Sequence, residues 1–214
     1  MIRRLLFAIA RSPVASLFIG TAFARLTWLM PLKRIVEDER AIVFEHPKQF
    51  WEIHWLAVPK QRVPTILTCE AIVLRGLLPL IQISAEKLPH PMVLVNGGQY
   101  QDVPQMHFHV TSGPDSSGNK WKNTQLATEQ VATLTIAPHP QPKRQVHWQV
   151  QSVAPPFLSI DWTDSEQSNA AIAALLAARD QAIALELDAF SLLWDSADSQ
   201  FTVHLVSGNQ VDAR

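Results

Sequence analysis

Apolar and polar residues alternate through Gln105-Met106-His107-Phe108-His109-Val110, and a period of two is the mark of a β-strand. Side chains two apart leave a strand by the same face, so Gln105, His107 and His109 form one polar row while Met106, Phe108 and Val110 face the core. Upstream, Val93-Leu94-Val95 reads as a buried strand that breaks at Asn96-Gly97-Gly98, and Gln101-Asp102-Val103-Pro104 leads from that turn into the histidine strand. The pattern predicts an antiparallel pair with a polar loop over one end, one face core and the other a site.

The second half of the chain echoes the first. Gln200-Phe201-Thr202-Val203-His204-Leu205-Val206-Ser207-Gly208 lies on Gln105 to Gly113 without a gap, with Gln, His, Ser and Gly coinciding and the apolar alternation kept throughout. Leu192-Leu193-Trp194-Asp195 echoes Leu94-Val95-Asn96. Before it, Glu166 to Leu187 predicts a helix with Ser165 as N-cap, matching a helix from about Thr65 to Glu86, and Ile160-Asp161-Trp162 stands where Ile53-His54-Trp55 would fall. In this alignment Thr202 replaces His107 and Asp161 replaces His54. Between the halves, Ser112 to Asn119 reads as a linker, and Pro138-His139-Pro140-Gln141-Pro142 as a loop between strands Val131–Ile136 and Gln145–Val150. His139 and His147 are single histidines with no assigned role.

Composition narrows the choices. The chain has 214 residues, 47% hydrophobic and 17% charged, enough to bury a core. Its net charge of −1 argues against a nucleic-acid partner, but the charge is uneven: residues 1–110 carry twelve Lys and Arg against eight Asp and Glu, residues 111–214 six against eleven. The basic half is the half with the histidines, which suits an anionic ligand, although the first 34 residues supply much of the excess. Cys69 is the single cysteine, which points to a reducing, cytoplasmic setting. With only His107 and His109 as paired donors, no metal and no other cofactor is expected.

Residues 1–32 set Arg3, Arg4, Arg11 and Arg25 among apolar residues, and the longest charge-free run, Ser12 to Ala24, is shorter than the roughly 18 to 20 residues that span a bilayer. Arg11 also makes this a poor signal peptide. The segment predicts an amphipathic helix, broken near Pro13, that caps the core or alternatively makes peripheral membrane contact.

Two stretches carry a family resemblance. The order apolar strand, Asn96, Gly-rich loop, Gln101-x-Val103, then Gln105-Met106-His107-Phe108-His109 and Gly113 resembles the histidine triad family, with Gln105 at the first triad position. His54-Trp55-Leu56-Ala57-Val58-Pro59-Lys60 resembles the family's His-x-Leu-x-x-Pro-Lys strand, with Ile42-Val43-Phe44 as the strand before it. The matches run from about residue 35 to 113. The resemblance implies an α+β fold, with residues 33–113 as a half bearing the active site, 114–124 as linker and 125–214 as a degenerate half. It also implies an intrachain pseudo-dimer, monomeric in solution.

The same resemblance implies the chemistry. The middle triad histidine attacks the α-phosphate of a nucleotide, and that position is His107. His109, His54, Gln105, Asn96, Gly98 and Gln101 would contact phosphate, and Phe44, Glu45 and His46 would line the nucleoside. A neutral imidazole with an available lone pair can do this, and preorganised donors must meet the oxygens. Gln105 cannot titrate, so a proton relay through the first triad position is absent. The implied activity is a nucleotidyl hydrolase or transferase passing through a nucleotidyl-histidine; the alternative is a non-catalytic nucleotide-binding protein of the same fold.

Overall fold

A computed structural model describes residues 32–47, 49–115, 146–196 and 198–207. Among the described residues eight strands form one antiparallel sheet: β1 (Arg34–Glu37), β2 (Ala41–Glu45), β3 (Trp51–Pro59), β4 (Met92–Gly98), β5 (Phe108–Asp115), β6 (Val146–Gln151), β7 (Ala189–Asp195) and β8 (Thr202–Ser207). Their order across the sheet is β1-β2-β3-β5-β4-β7-β8-β6. Two helices, α1 (Ala71–Ala85) and α2 (Ser165–Ala184), follow β3 and β6. The α+β architecture is therefore the one expected.

Both helices pack on one face of the sheet. Leu74, Leu77, Leu78 and Ile81 of α1 and Ile172, Leu175 and Ala178 of α2 share one core with Ala57, Val93, Val95, Phe108, Val110, Leu192, Trp194 and Leu205. The opposite face is also apolar and buried: Ile42, Phe44 and Val58 cluster towards one side, and Trp51, Met92, Leu94, Leu193 and Val206 near the middle. The face expected to carry the site is thus packed as well, with His54 and His109 buried on it and His109 paired with the buried Leu94.

Both helices start later or with a different cap than their patterns predict. Thr65 caps a short 3-10 turn, Ile66–Thr68, and the extended backbone of Cys69 and Glu70 separates it from α1. Arg179 of α2 donates to the Cys69 carbonyl at 2.8 Å, satisfying a backbone acceptor that the break leaves outside any helix. Asp164, not Ser165, caps α2, its carboxylate accepting from the N–H groups of Glu166 and Gln167 at 2.8 and 3.4 Å.

Register relates the two halves. Leu94 pairs with His109, which pairs with Leu56; Leu193 pairs with His204, which pairs with Gln149; and Leu94 and Leu193 pair with each other. The six strands β3-β5-β4-β7-β8-β6 therefore run outward from the Leu94–Leu193 pair through matching neighbours on either side. This geometry corrects the counterpart of His54. Asp161 lies in the turn before α2, bonded to Thr163, whereas β6 occupies the place of β3 and puts His147-Trp148 where β3 has His54-Trp55. The proposed N-terminal segment through residue 31, most of the linker, His139 and the strand expected at 131–136 lie outside the described residues.

Candidate functional site

Strand β5 begins at Phe108, so Gln105 and His107 precede it rather than belong to it. The Gln105 N–H bonds the Val103 carbonyl and the Met106 N–H bonds the Val63 carbonyl, which ties this segment to the loop after β3. The Gln105 amide is committed to the same loop. Its NH2 group donates to the carbonyls of Pro59 at 3.3 Å and Gln61 at 3.1 Å, and its oxygen accepts from the Val63 N–H at 3.3 Å. The side chain is a buried clamp, not a member of a polar row with His107 and His109.

The Gln105 carbonyl does face the chemistry. His107 Nδ1 lies 2.8 Å from it, and because a carbonyl only accepts, Nδ1 carries the proton and Nε2 keeps the lone pair. Burial pushes the His107 pKa below its ordinary value, partly opposed by the Gln105 carbonyl and the Asp102 charge. The imidazole is neutral with a nucleophilic nitrogen available.

A second chain of bonds fixes two more tautomers. The Phe50 N–H donates to His54 Nδ1 at 3.4 Å, so the His54 proton resides on Nε2, which lies 2.8 Å from His109 Nδ1. His109 therefore accepts at Nδ1 and carries its proton on Nε2. That N–H is buried and has no partner among the described residues. Burial, reinforced by His46 and His107, lowers His54 to about 2; burial and the neighbouring histidines hold His109 well below its ordinary value. His107 and His109 meet edge to face with ring centroids 5.0 Å apart. A lone pair on His107 and an unsatisfied donor on His109 thus sit on adjacent imidazoles.

The remaining residues divide. His46 stacks on His54 at 4.3 Å and 10°, with its ring 6.2 Å from that of His109, so it joins the cluster. Phe44 is buried with Ile42 and Val58, and Glu45 is ion-paired to Lys33 at 2.5 Å. Gln101 donates to the carbonyls of Pro64 and Val103 at 2.5 and 2.6 Å, bracing the loop. Gly98 has φ +60 and a Cβ there would strike the Asp188 carbonyl, while one on Gly97 would strike the Phe190 ring. These glycines let the end of β4 lie close against β7. Asn96 is half-buried and follows Val95, whose partner in β5, Phe108, follows His107.

Two further residues belong to the site without any signal in the sequence pattern. Phe50 sets the His54 tautomer, and Ser191 of β7 donates to Asn96 Oδ1 at 2.7 Å. Both contacts depend on a loop path or on a strand 95 residues away. Among the described residues no group of three or more His, Cys, Asp or Glu side chains is placed to hold a metal ion. No described helix is long and apolar enough to cross a membrane.

No family model and no curated protein matches the chain. Solved structures do. The chain is similar to a histidine triad protein from Clostridium difficile at 20% identity, over 45% of this chain and 90% of that one, with a TM-score of 0.40. It is similar to a HIT family hydrolase from Legionella pneumophila Philadelphia 1 at 19% identity, over 46% and 94%, with a TM-score of 0.39. A histidine triad nucleotide-binding protein from Candida albicans matches at 18% identity, over 51% and 89%, with a TM-score of 0.37.

Proposed function

We propose that this protein is a nucleotidyl hydrolase or transferase whose nucleophile is His107. The observation that carries the reading is the fixed tautomer pair: Nδ1–H of His107 held on the Gln105 carbonyl, and the unpartnered Nε2–H of His109 beside it. In the reaction, the His107 Nε2 lone pair forms a bond to the α-phosphorus as the bond to the leaving group breaks. The leaving group departs with that electron pair and takes its proton from solvent. The phosphorylated imidazole is cationic, and the Gln105 carbonyl stabilises it through Nδ1–H. His109 Nε2–H and the Asn96 amide donate to the non-bridging oxygens, where charge accumulates. Water or a second substrate then attacks phosphorus as the bond from phosphorus to His107 Nε2 breaks, gives up its proton to solvent and leaves with the nucleotide, and the bond's electron pair returns to Nε2 to restore neutral His107.

The half formed by β6, α2, β7 and β8 acts in this reading as a degenerate copy that completes the sheet. A chain that supplies both halves has no central edge left for a second chain, so the protein works as a monomer.

A second reading, a nucleotide-binding protein without turnover, is favoured by one observation. Gln105 is spent on scaffolding, which leaves the first triad position with no titratable group. Incubation with a panel of adenylated and guanylated compounds, followed by mass spectrometry of the trapped protein, separates the two. A nucleotide adduct on His107 is expected; nucleotide binding with neither adduct nor product would establish the second reading instead.

A further inference from the structure

We propose that Ser191, from the half without a nucleophile, is a positioning residue that turns the Asn96 amide towards the phosphate held at His107. This rests on the reading of His107 as the phosphate-binding centre. In the sheet β4 lies between β5 and β7, so Asn96 has the His107 segment on one side and Ser191 on the other. Asn96 and Ser191 are direct cross-strand partners. Ser191 is fully buried, and its hydroxyl donates to Asn96 Oδ1 at 2.7 Å.

An asparagine amide offers an acceptor at one end and two donors at the other, and only the donor end is useful to a phosphate. With Oδ1 held on the β7 side, Nδ2 is directed across β4 towards His107. No hydrogen bond occupies Nδ2 among the described residues, so its donors remain for a ligand. Without the hydroxyl Oδ1 loses its donor on the β7 side, the amide is free to turn, and an oxygen facing the phosphate would repel it. The glycines next in sequence serve the same arrangement, since Gly97 and Gly98 allow β7 to approach this closely. Ser191 therefore links the two halves functionally: the second half has no imidazole at the nucleophile position, yet it orients a donor for the first.

The test compares AMP with adenosine by isothermal titration calorimetry on the full chain, since only AMP carries the phosphate. Ser191→Ala is expected to weaken AMP about tenfold, the worth of one charge-assisted hydrogen bond, and to leave adenosine unchanged. Ser191→Thr, which keeps the hydroxyl, is expected to bind AMP within about twofold of the parent. Asn96→Asp still accepts from Ser191 but presents an anionic oxygen, and should weaken AMP about a hundredfold while sparing adenosine. An AMP-to-adenosine ratio unchanged in Ser191→Ala would overturn the proposal, as would a ratio unchanged in Asn96→Asp or a parent protein that binds neither compound. Because the ratio is read without turnover, a missing His107 adduct would sink the catalytic reading alone.

Discussion

His109 and His204 occupy matching positions on either side of the Leu94–Leu193 pair, and their ring nitrogens are satisfied differently. His204 Nδ1 accepts from the Gln149 amide at 3.3 Å and its Nε2 faces Asp198 at 3.4 Å, so both nitrogens have protein partners. His109 accepts from His54 but leaves Nε2–H without one. A buried donor with no acceptor costs roughly 1–3 kcal/mol, and among the described residues His109 shares that state with the indoles of Trp51, Trp162 and Trp194, of which none has an imidazole with a free lone pair beside it. The neighbouring positions repeat the contrast. His107 Nδ1 and Thr202 Oγ1 both bond the carbonyl two residues earlier, at 2.8 and 3.3 Å, but only the imidazole has a second nitrogen left to attack with. One side of the sheet is closed chemistry and the other is open.

Replacing the open side should therefore have the largest effect. His107→Asn is expected to lower turnover by a factor on the order of 10³ or more while leaving AMP affinity within about threefold, because Asn can hydrogen-bond phosphate but cannot form the covalent intermediate. Thr202→Ala should leave turnover unchanged. Steady-state kinetics and adduct mass spectrometry check both. Loss in Thr202→Ala with retention in His107→Asn would reverse the assignment of the live side.

The parts of this contrast visible in the sequence are those set by local pattern. The apolar run of β4, the alternation in β5 and β8 and the Ala/Leu-rich α2 all declare themselves through residues a few positions apart, whereas the break expected at Asn96-Gly97-Gly98 is corrected, because these residues pair with Ser191, Phe190 and Ala189 and extend β4. Gln105 does not, because its strand-like spacing is overridden by bonds to the loop at residues 59–63. The stacking of His46 on His54 depends on how the chain returns between β2 and β3, which no periodicity encodes. The counterpart of β3 was legible: His147-Trp148 repeats His54-Trp55, but at a spacing two residues shorter than that of the β5–β8 echo. The Ile160-Asp161-Trp162 match stands at an offset of 107 residues, against 95 for the β5–β8 echo, and takes the turn before α2 for the counterpart of β3.

The next effect is on stability in acid. His54, at about 2, and His109, well below its ordinary value, stay neutral when folded, whereas the unfolded chain takes up protons near 6.5. Between those limits the unfolded state binds more protons, so stability is fully present above pH 6.5 and is lost as pH falls. Two such groups contribute up to about 4 kcal/mol of loss by about pH 5, before most carboxylates titrate. Urea unfolding midpoints across this range measure it. His54→Gln should flatten the slope by about half, and an unchanged slope would mean the imidazoles are charged in the fold.

The smallest expected effect compares two glutamines that share a place in the sequence echo but not in structure. Gln105 is buried and holds three backbone groups, the carbonyls of Pro59 and Gln61 and the N–H of Val63. Gln200 is exposed and accepts one bond from Gln151 at 2.7 Å. Truncating Gln105 to Ala strands those backbone groups away from their partner and should cost about 2–4 kcal/mol. Gln200→Ala should stay within about 0.5 kcal/mol, as exposed polar substitutions do. Gln105→His separates scaffolding from chemistry, because it restores a titratable group at the first triad position but cannot reproduce the amide's paired donors and acceptor. It should destabilise nearly as much as alanine and leave turnover per folded molecule unimproved. A stable and faster Gln105→His protein would show that this position faces the substrate, and that its bonds to the loop are incidental to the site.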